Sequence, residues 1–204
     1  MLKYQLIGAF LDTTTQILLI IRLRYLYIYC TILLEENSNY LIQKKIGGLN
    51  MVHLVYCDNE GKSGDKVLDK ILAGTKTMVV RGAAGRKIPH SRVFEGETLY
   101  FMQKGTGEIT ATATVAKVEN YVKLAEDEID KIIDDNQSKL NLSPKQKERW
   151  HKKCLCLVEF KDIMEISPLE FDHQGNMDDW LIIDKIEDVV VGTSIPYNYE
   201  KSKF

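Results

Sequence analysis

The chain has little of the chemistry that assigns a protein to a class at sight. Its four histidines, His53, His90, His151 and His173, are scattered with no ligand spacing, so no metal site is expected and no cofactor is implied. Its four cysteines, Cys30, Cys57, Cys154 and Cys156, do not make a disulfide framework. Cys154 and Cys156 stand two apart in an apolar stretch, on one face of a strand, where a bridge between them is geometrically implausible. Cys57, Cys154 and Cys156 are therefore expected as reduced core or near-core thiols, which suits a cytoplasmic setting. There is also no excess of one charge: 27 basic and 29 acidic residues give a net charge of −2. A general nucleic-acid coat would be basic overall, so any such function must rest on a local patch. With 45% hydrophobic and 27% charged residues, the composition suits one globular domain.

An uninterrupted apolar span is missing too. Ile17 to Leu34 comes nearest, but Arg22 and Arg24 break it. Its eleven Ile and Leu residues favour membrane insertion by roughly 3 to 7 kcal/mol, and the two arginines oppose it by roughly 5 to 7. No small-residue cleavage pattern follows the run, so a secretory signal is not expected either. Residues 1–50 are dense in Ile, Leu, Tyr and Asn and lack the turn chemistry of a domain. Back-translated, Ile46-Gly47-Gly48 accommodates a bacterial ribosome-binding sequence, with Leu49 and Asn50 as spacer before Met51. The expectation is that translation starts at Met51 and that 1–50 is a non-domain extension, either a mis-assigned start or a weak membrane segment. Setting aside its five basic and three acidic residues leaves 22 and 26, a net of −4.

What is present begins at Val52 to Cys57, which reads as a strand. Val67, Leu68, Ile71 and Leu72 recur at helical spacing. Ser63 or Asp65 can cap that helix, and Gly74 can end it in the left-handed conformation. Thr77 to Val80 is a short strand bracketed by Lys76 and Arg81. Gly82 to Gly96 is a long loop carrying Arg86, Lys87, His90 and Arg92, and long loops in small domains tend to be functional. Strands are expected at Thr98 to Gln103 and Glu108 to Val122, joined by the turn Gly105-Thr106-Gly107. In the second, Thr110, Thr112 and Thr114 alternate with Ile109, Ala111, Ala113 and Val115, so one face is buried. Leu124 to Lys139 is a helix with Ile129, Ile132 and Ile133 inward and an acidic outer face. Ser143-Pro144-Lys145-Gln146 starts another helix, running to about Lys153. Cys154 to Ile166 is an apolar strand ended by Ser167-Pro168, Trp180 to Ile183 and Val189 to Val191 close the domain, and 192–204 is a mobile tail.

The pattern Gly74-x-Lys76-Thr77-x-x-x-Arg81 after an amphipathic helix, followed by these strands in this order, resembles the ASCH family, a branch of the PUA-like barrels, over roughly 51–191. The resemblance implies an α+β fold, a PUA-like (ASCH/EVE-type) mixed β-barrel with flanking helices. It implies a concave pocket edged by Lys76, Thr77, Arg81, Arg86 and Lys87, binding RNA or a modified nucleotide. Arginine suits such a ligand because its planar fork matches phosphate and base edges. Trp150, Tyr100 or Phe101 would stack a splayed base. One branch of the family consists of small nucleoside amidohydrolases; on that pattern Lys76 would be the base, with Thr77 and Glu126 or Glu128 assisting, and a ribonuclease is the related alternative. Val79 stands where that branch has a hydroxyl, which ranks binding ahead of catalysis. A protein-interaction domain is the third reading.

Overall fold

Alternation decides the first strand. In β1 (Val52–Cys57), Leu54 and Tyr56 point to one face of the sheet while Val55 and Cys57 point to the other, and both faces are covered. The computed structural model describes residues 51–59, 66–175 and 178–202, all within one unit spanning 49–204. The expected extension at 1–50 and the caps Ser63 and Asp65 lie outside the described residues. Helix α1 (Val67–Leu72) buries Val67, Leu68 and Ile71 and ends at Gly74, whose φ of +68° is the left-handed stop expected there. Leu72, expected on the buried stripe, is exposed as the last residue of the helix.

The remaining strands are β2 (Met78–Ala83), β3 (Thr98–Gln103), β4 (Glu108–Tyr121), β5 (Cys154–Glu170) and β6 (Trp180–Ile183). They form one sheet in the order β2-β5-β4-β3-β1-β6, antiparallel except for the β1–β3 pair. All six strands send side chains into one apolar cluster, from Val79 on β2 to Trp180 and Ile182 on β6. The sheet is therefore curled into a half-barrel around a common core. The mixed barrel expected from the sequence is present without closure by strand pairing, since β2 and β6 are both edges. Three bulges between β4 and β5 supply bending. One explains a wrong expectation: Ser167-Pro168 does not end β5, because Pro168 falls where two extra residues leave the ladder and no N–H is needed.

Helices α2 (Glu126–Asp135), α3 (Gln137–Leu140) and α4 (Pro144–Trp150) cover the outer face of β2 and β5. Ile129, Ile133, Leu140 and Trp150 pack there on Met78, Val80 and Leu155. The capping box of α4 forms as read from sequence: Gln146 N–H donates to Ser143 Oγ (3.2 Å) and Ser143 N–H to Gln146 Oε1 (3.1 Å). The helix stops at Trp150, short of Lys153, and that stop places Trp150 at the edge of β2. The segment after Gly192, expected to be mobile, packs back on the sheet. The Tyr197 hydroxyl accepts from Ile182 N–H (3.3 Å), and Lys201 pairs with Asp184 (2.7 Å). Gln174 adds to the anchor, its Nε2 donating to the Ile195 carbonyl (2.7 Å) and its Oε1 accepting from Tyr197 N–H (2.8 Å), ties that a polar composition conceals.

Candidate ligand pocket

Arg81 lies on the edge strand β2, and the curl of the sheet brings it opposite β1. Its Nη2 donates to the Tyr56 carbonyl (2.9 Å) and its Nη1 to the Val80 carbonyl (3.0 Å). Tyr56 is beyond the β1–β6 ladder, whose last pair is Val55 with Trp180, so its carbonyl has no strand partner there. Two indoles flank the guanidinium, with ring centroids 5.2 Å (Trp150) and 5.6 Å (Trp180) away. Among the described residues no carboxylate lies within ion-pair distance of it, and its buried Nε–H has no partner. Burial works against its charge, and Cys57, Asp179 and Asp58 partly offset that effect. A guanidinium keeps its proton under such conditions.

An open pocket of about 260 Å³ has Arg81, Trp150 and Trp180 in its wall. Lys87, Arg149 and Lys152 bring further cations to it. Gly82 makes the wall close-packed, because a Cβ there would stand 2.8 Å from Leu155 Cδ2 and 3.0 Å from Lys152 Cβ. His90 also lines it, with Nε2 donating to the Tyr121 carbonyl (3.3 Å) and Nδ1 accepting from the Ser91 hydroxyl (2.9 Å). Burial pushes the pKa of His90 down, which keeps the ring neutral.

The rim is not purely cationic. Lys87 pairs with Asp178 (3.0 Å), and Arg149 bridges Asp58 (2.7 Å) and Asp179 (3.0 Å). Asp178, Asp179, Arg149 and Trp180 were not foreseen as site residues. The loop before β6 carries no motif, and only the β1–β6 pairing brings it beside β2. Trp150 is a core anchor as well as a pocket residue: it is 9% exposed and carries both Arg81 and Arg149 (4.8 Å) against its ring. Little of it is open to stacking.

Lys76 is not in this pocket. It is 3% exposed, and its Nζ donates to the Leu140 carbonyl at the end of α3. It lines a separate void of about 20 Å³ on the other side of Arg81 and Trp150, room for about one water. Burial first, and then Arg81, brings its amine down to about 7. Thr77 lines neither cavity; its N–H goes to the Lys139 carbonyl (3.0 Å). Arg86 is exposed near His90. Glu126 is largely exposed on α2 and faces His151 Nδ1 (3.3 Å). Of the expected site residues, the structure brings Arg81, Lys87 and Trp150 together, and it does not bring Lys76, Thr77 and Glu126 to one point. Tyr100 and Phe101 are on β3, the latter fully buried against Phe160 (5.2 Å). Among the described residues no cluster of three His, Cys, Asp or Glu could hold a metal, and no helix is long and apolar enough to cross a membrane.

The unit spanning 49–204 is thus an α+β half-barrel with a two-tryptophan, arginine-centred pocket at the gap between β2 and β6. No family model matches the chain, and no curated protein matches it. Solved structures are similar to it in fold. ASCH from Zymomonas mobilis aligns at 12% identity and a TM-score of 0.43, over 58% of this chain and 73% of that one. Two single-substitution forms of that protein align with TM-scores of 0.44 and 0.45 at 12% and 11% identity, over 58% and 60% of this chain and 75% of each of theirs.

Proposed function

We propose that this chain is an ASCH-type, PUA-like binding module whose pocket takes RNA or a modified nucleotide. The observation that carries the reading is Arg81: a recessed guanidinium in the pocket wall with its flanks against two indoles, two donors spent on carbonyls and, among the described residues, no carboxylate within ion-pair distance. Its flanks are filled, so the pocket does not select a cation by ring faces. It offers donors, and a ligand must bring acceptors such as a base carbonyl or phosphate oxygen. Lys87 and Lys152 at the pocket add point charges suited to a backbone. Asp178 and Asp179 can accept from an exocyclic amine, which distinguishes a nucleotide from a bare anion.

Binding is favoured over hydrolysis because Lys76, whose amine burial brings near neutrality, turns to the Leu140 carbonyl and away from the open pocket. The chain has two tryptophans and both line the pocket. Their fluorescence should report binding directly in titrations of the full chain with short single-stranded RNA at two salt concentrations. Saturable quenching that Arg81→Ala abolishes is the expected result. No response at either salt, with RNA or with free nucleotides, would sink the proposal.

A further inference from the structure

A buried polar relay runs from the pocket wall into the core. Trp180 Nε1–H donates to His53 Nδ1 (3.1 Å), and His53 Nε2 stands 2.8 Å from Glu97 Oε2. The same carboxylate oxygen accepts from the backbone N–H of Phe94 (2.7 Å). Trp180, His53 and Glu97 are 1%, 0% and 7% exposed. An indole nitrogen is a donor only. Its bond therefore makes His53 Nδ1 an acceptor and puts the ring's proton on Nε2, which donates to Glu97. Every group is satisfied and the direction is fixed: Trp180 to His53 to Glu97.

We infer that His53 and Glu97 are positioning residues for the ligand pocket, acting through Trp180; the inference rests on the binding role proposed above. The relay turns the indole N–H inward, so that the pocket meets ring carbon while the ring flanks Arg81 at 5.6 Å. A freed indole would turn to find an acceptor, and the guanidinium would lose one of its two flanks. Glu97 also holds the exit of the loop that brings Lys87 and His90 to the pocket, since Phe94 closes that loop. His53 has Leu99 and Ile182 beside it in register, and an apolar residue there would leave the Trp180 N–H and the Glu97 carboxylate without their shared partner.

The test reads the relay without a ligand and then with one. In ¹⁵N-labelled full chain, the two indole N–H signals are separated by Trp180→Phe, and the Arg81 Nε–H signal is assigned with Arg81→Lys. His53→Leu should speed solvent exchange of the Trp180 indole at least roughly tenfold and shift the Arg81 signal, while Trp150 stays in place. His53→Asn, whose side-chain oxygen can still accept, should restore both. In RNA titrations His53→Leu should weaken binding about tenfold, near the loss of one hydrogen bond. In a Trp180→Phe background the same change should add less than about twofold, because an effect routed through the indole is not additive. If wild-type chain binds no RNA, the binding role fails while the spectra still decide the relay. Equal movement of both indoles, or an Arg81 signal unmoved in His53→Leu, overturns the inference. Should His53→Leu not fold, Glu97→Gln replaces it and must move Trp180 and Arg81 in the same direction; unchanged spectra there overturn it too.

Discussion

Arg81 on β2 donates to the Tyr56 carbonyl on β1 at 2.9 Å, across three intervening strands of the same curled sheet. The half-barrel is thus tied across its open side by a side chain, and the residue proposed to meet the ligand is the one that ties it.

That double role changes what substitution of Arg81 should do. Arg81→Ala should abolish binding and also lower stability by about 1 to 3 kcal/mol, since the Tyr56 carbonyl loses a charge-assisted donor in a buried setting. Arg81→Lys should recover part of the stability and little of the binding, because an ammonium cannot serve carbonyl and ligand in one plane. Urea melts beside RNA titrations check both. Equal loss of binding with no loss of stability would mean that the cross-sheet bond contributes nothing to the fold.

The sequence foretold the strands better than it foretold the site, for physical reasons. The Ser143–Gln146 box is a local signal and formed as read, whereas the period-two alternation held only for Ala111, Ala113 and Val115: a register shift turns Ile109 to the opposite cluster, and Thr112 is buried. Arg81 was legible because a charge beside a buried apolar strand is conspicuous. Lys76 was misplaced because its role depends on where α3 ends: the Leu140 carbonyl, 64 residues away, faces its amine. The relay was invisible for the same reason. His53 reads as one polar residue in an apolar strand until β6 and the turn before β3 supply its partners.

Gly82 should tolerate no side chain. An alanine Cβ there would lie 2.8 Å from Leu155 Cδ2 and 3.0 Å from the Lys152 Cβ. Leu155 is fully buried and cannot swing aside. Gly82→Ala should therefore cost about 1 to 3 kcal/mol by overpacking and displace Lys152 from the pocket wall. Thermal melts check the first effect, and a smaller salt dependence of RNA binding checks the second.

Lys87 should behave in the opposite way. Its side chain is 63% exposed and its partner Asp178 lies 3.0 Å away, so the pair is a surface ion pair. Lys87→Ala should change stability by less than about 1 kcal/mol. Its effect should instead fall on binding, as a modest weakening at low salt that fades at high salt. A large loss of stability would place Lys87 in the fold rather than at the ligand.

Lys76 should make the domain more stable as pH rises above neutrality. Burial and Arg81 bring its amine down to about 7 from the ordinary 10.5. Below pH 7 both folded and unfolded chains hold the proton, so the pH dependence from this residue is flat and the buried charge is carried at full cost. Between pH 7 and 10.5 the unfolded chain holds a proton that the folded chain has released. The unfolded state then binds more protons, so stability increases with pH, at a limit of about 1.4 kcal/mol per pH unit. Cys57 and Cys156 act with the opposite sign but later: burial pushes both thiols up to about 12 from 9.0, so their effect begins near pH 9. His90, pushed down from 6.5, titrates below the window. Between pH 7 and 9 the rise therefore belongs to Lys76. Lys76→Met should remove it, giving a flat line across that interval whatever the cost of leaving the Leu140 carbonyl without its donor. Urea midpoints at half-unit pH steps measure the slope. A wild-type line already flat from pH 7 to 9 would mean that Lys76 keeps its charge in the fold, and that its void holds a partner strong enough to support it.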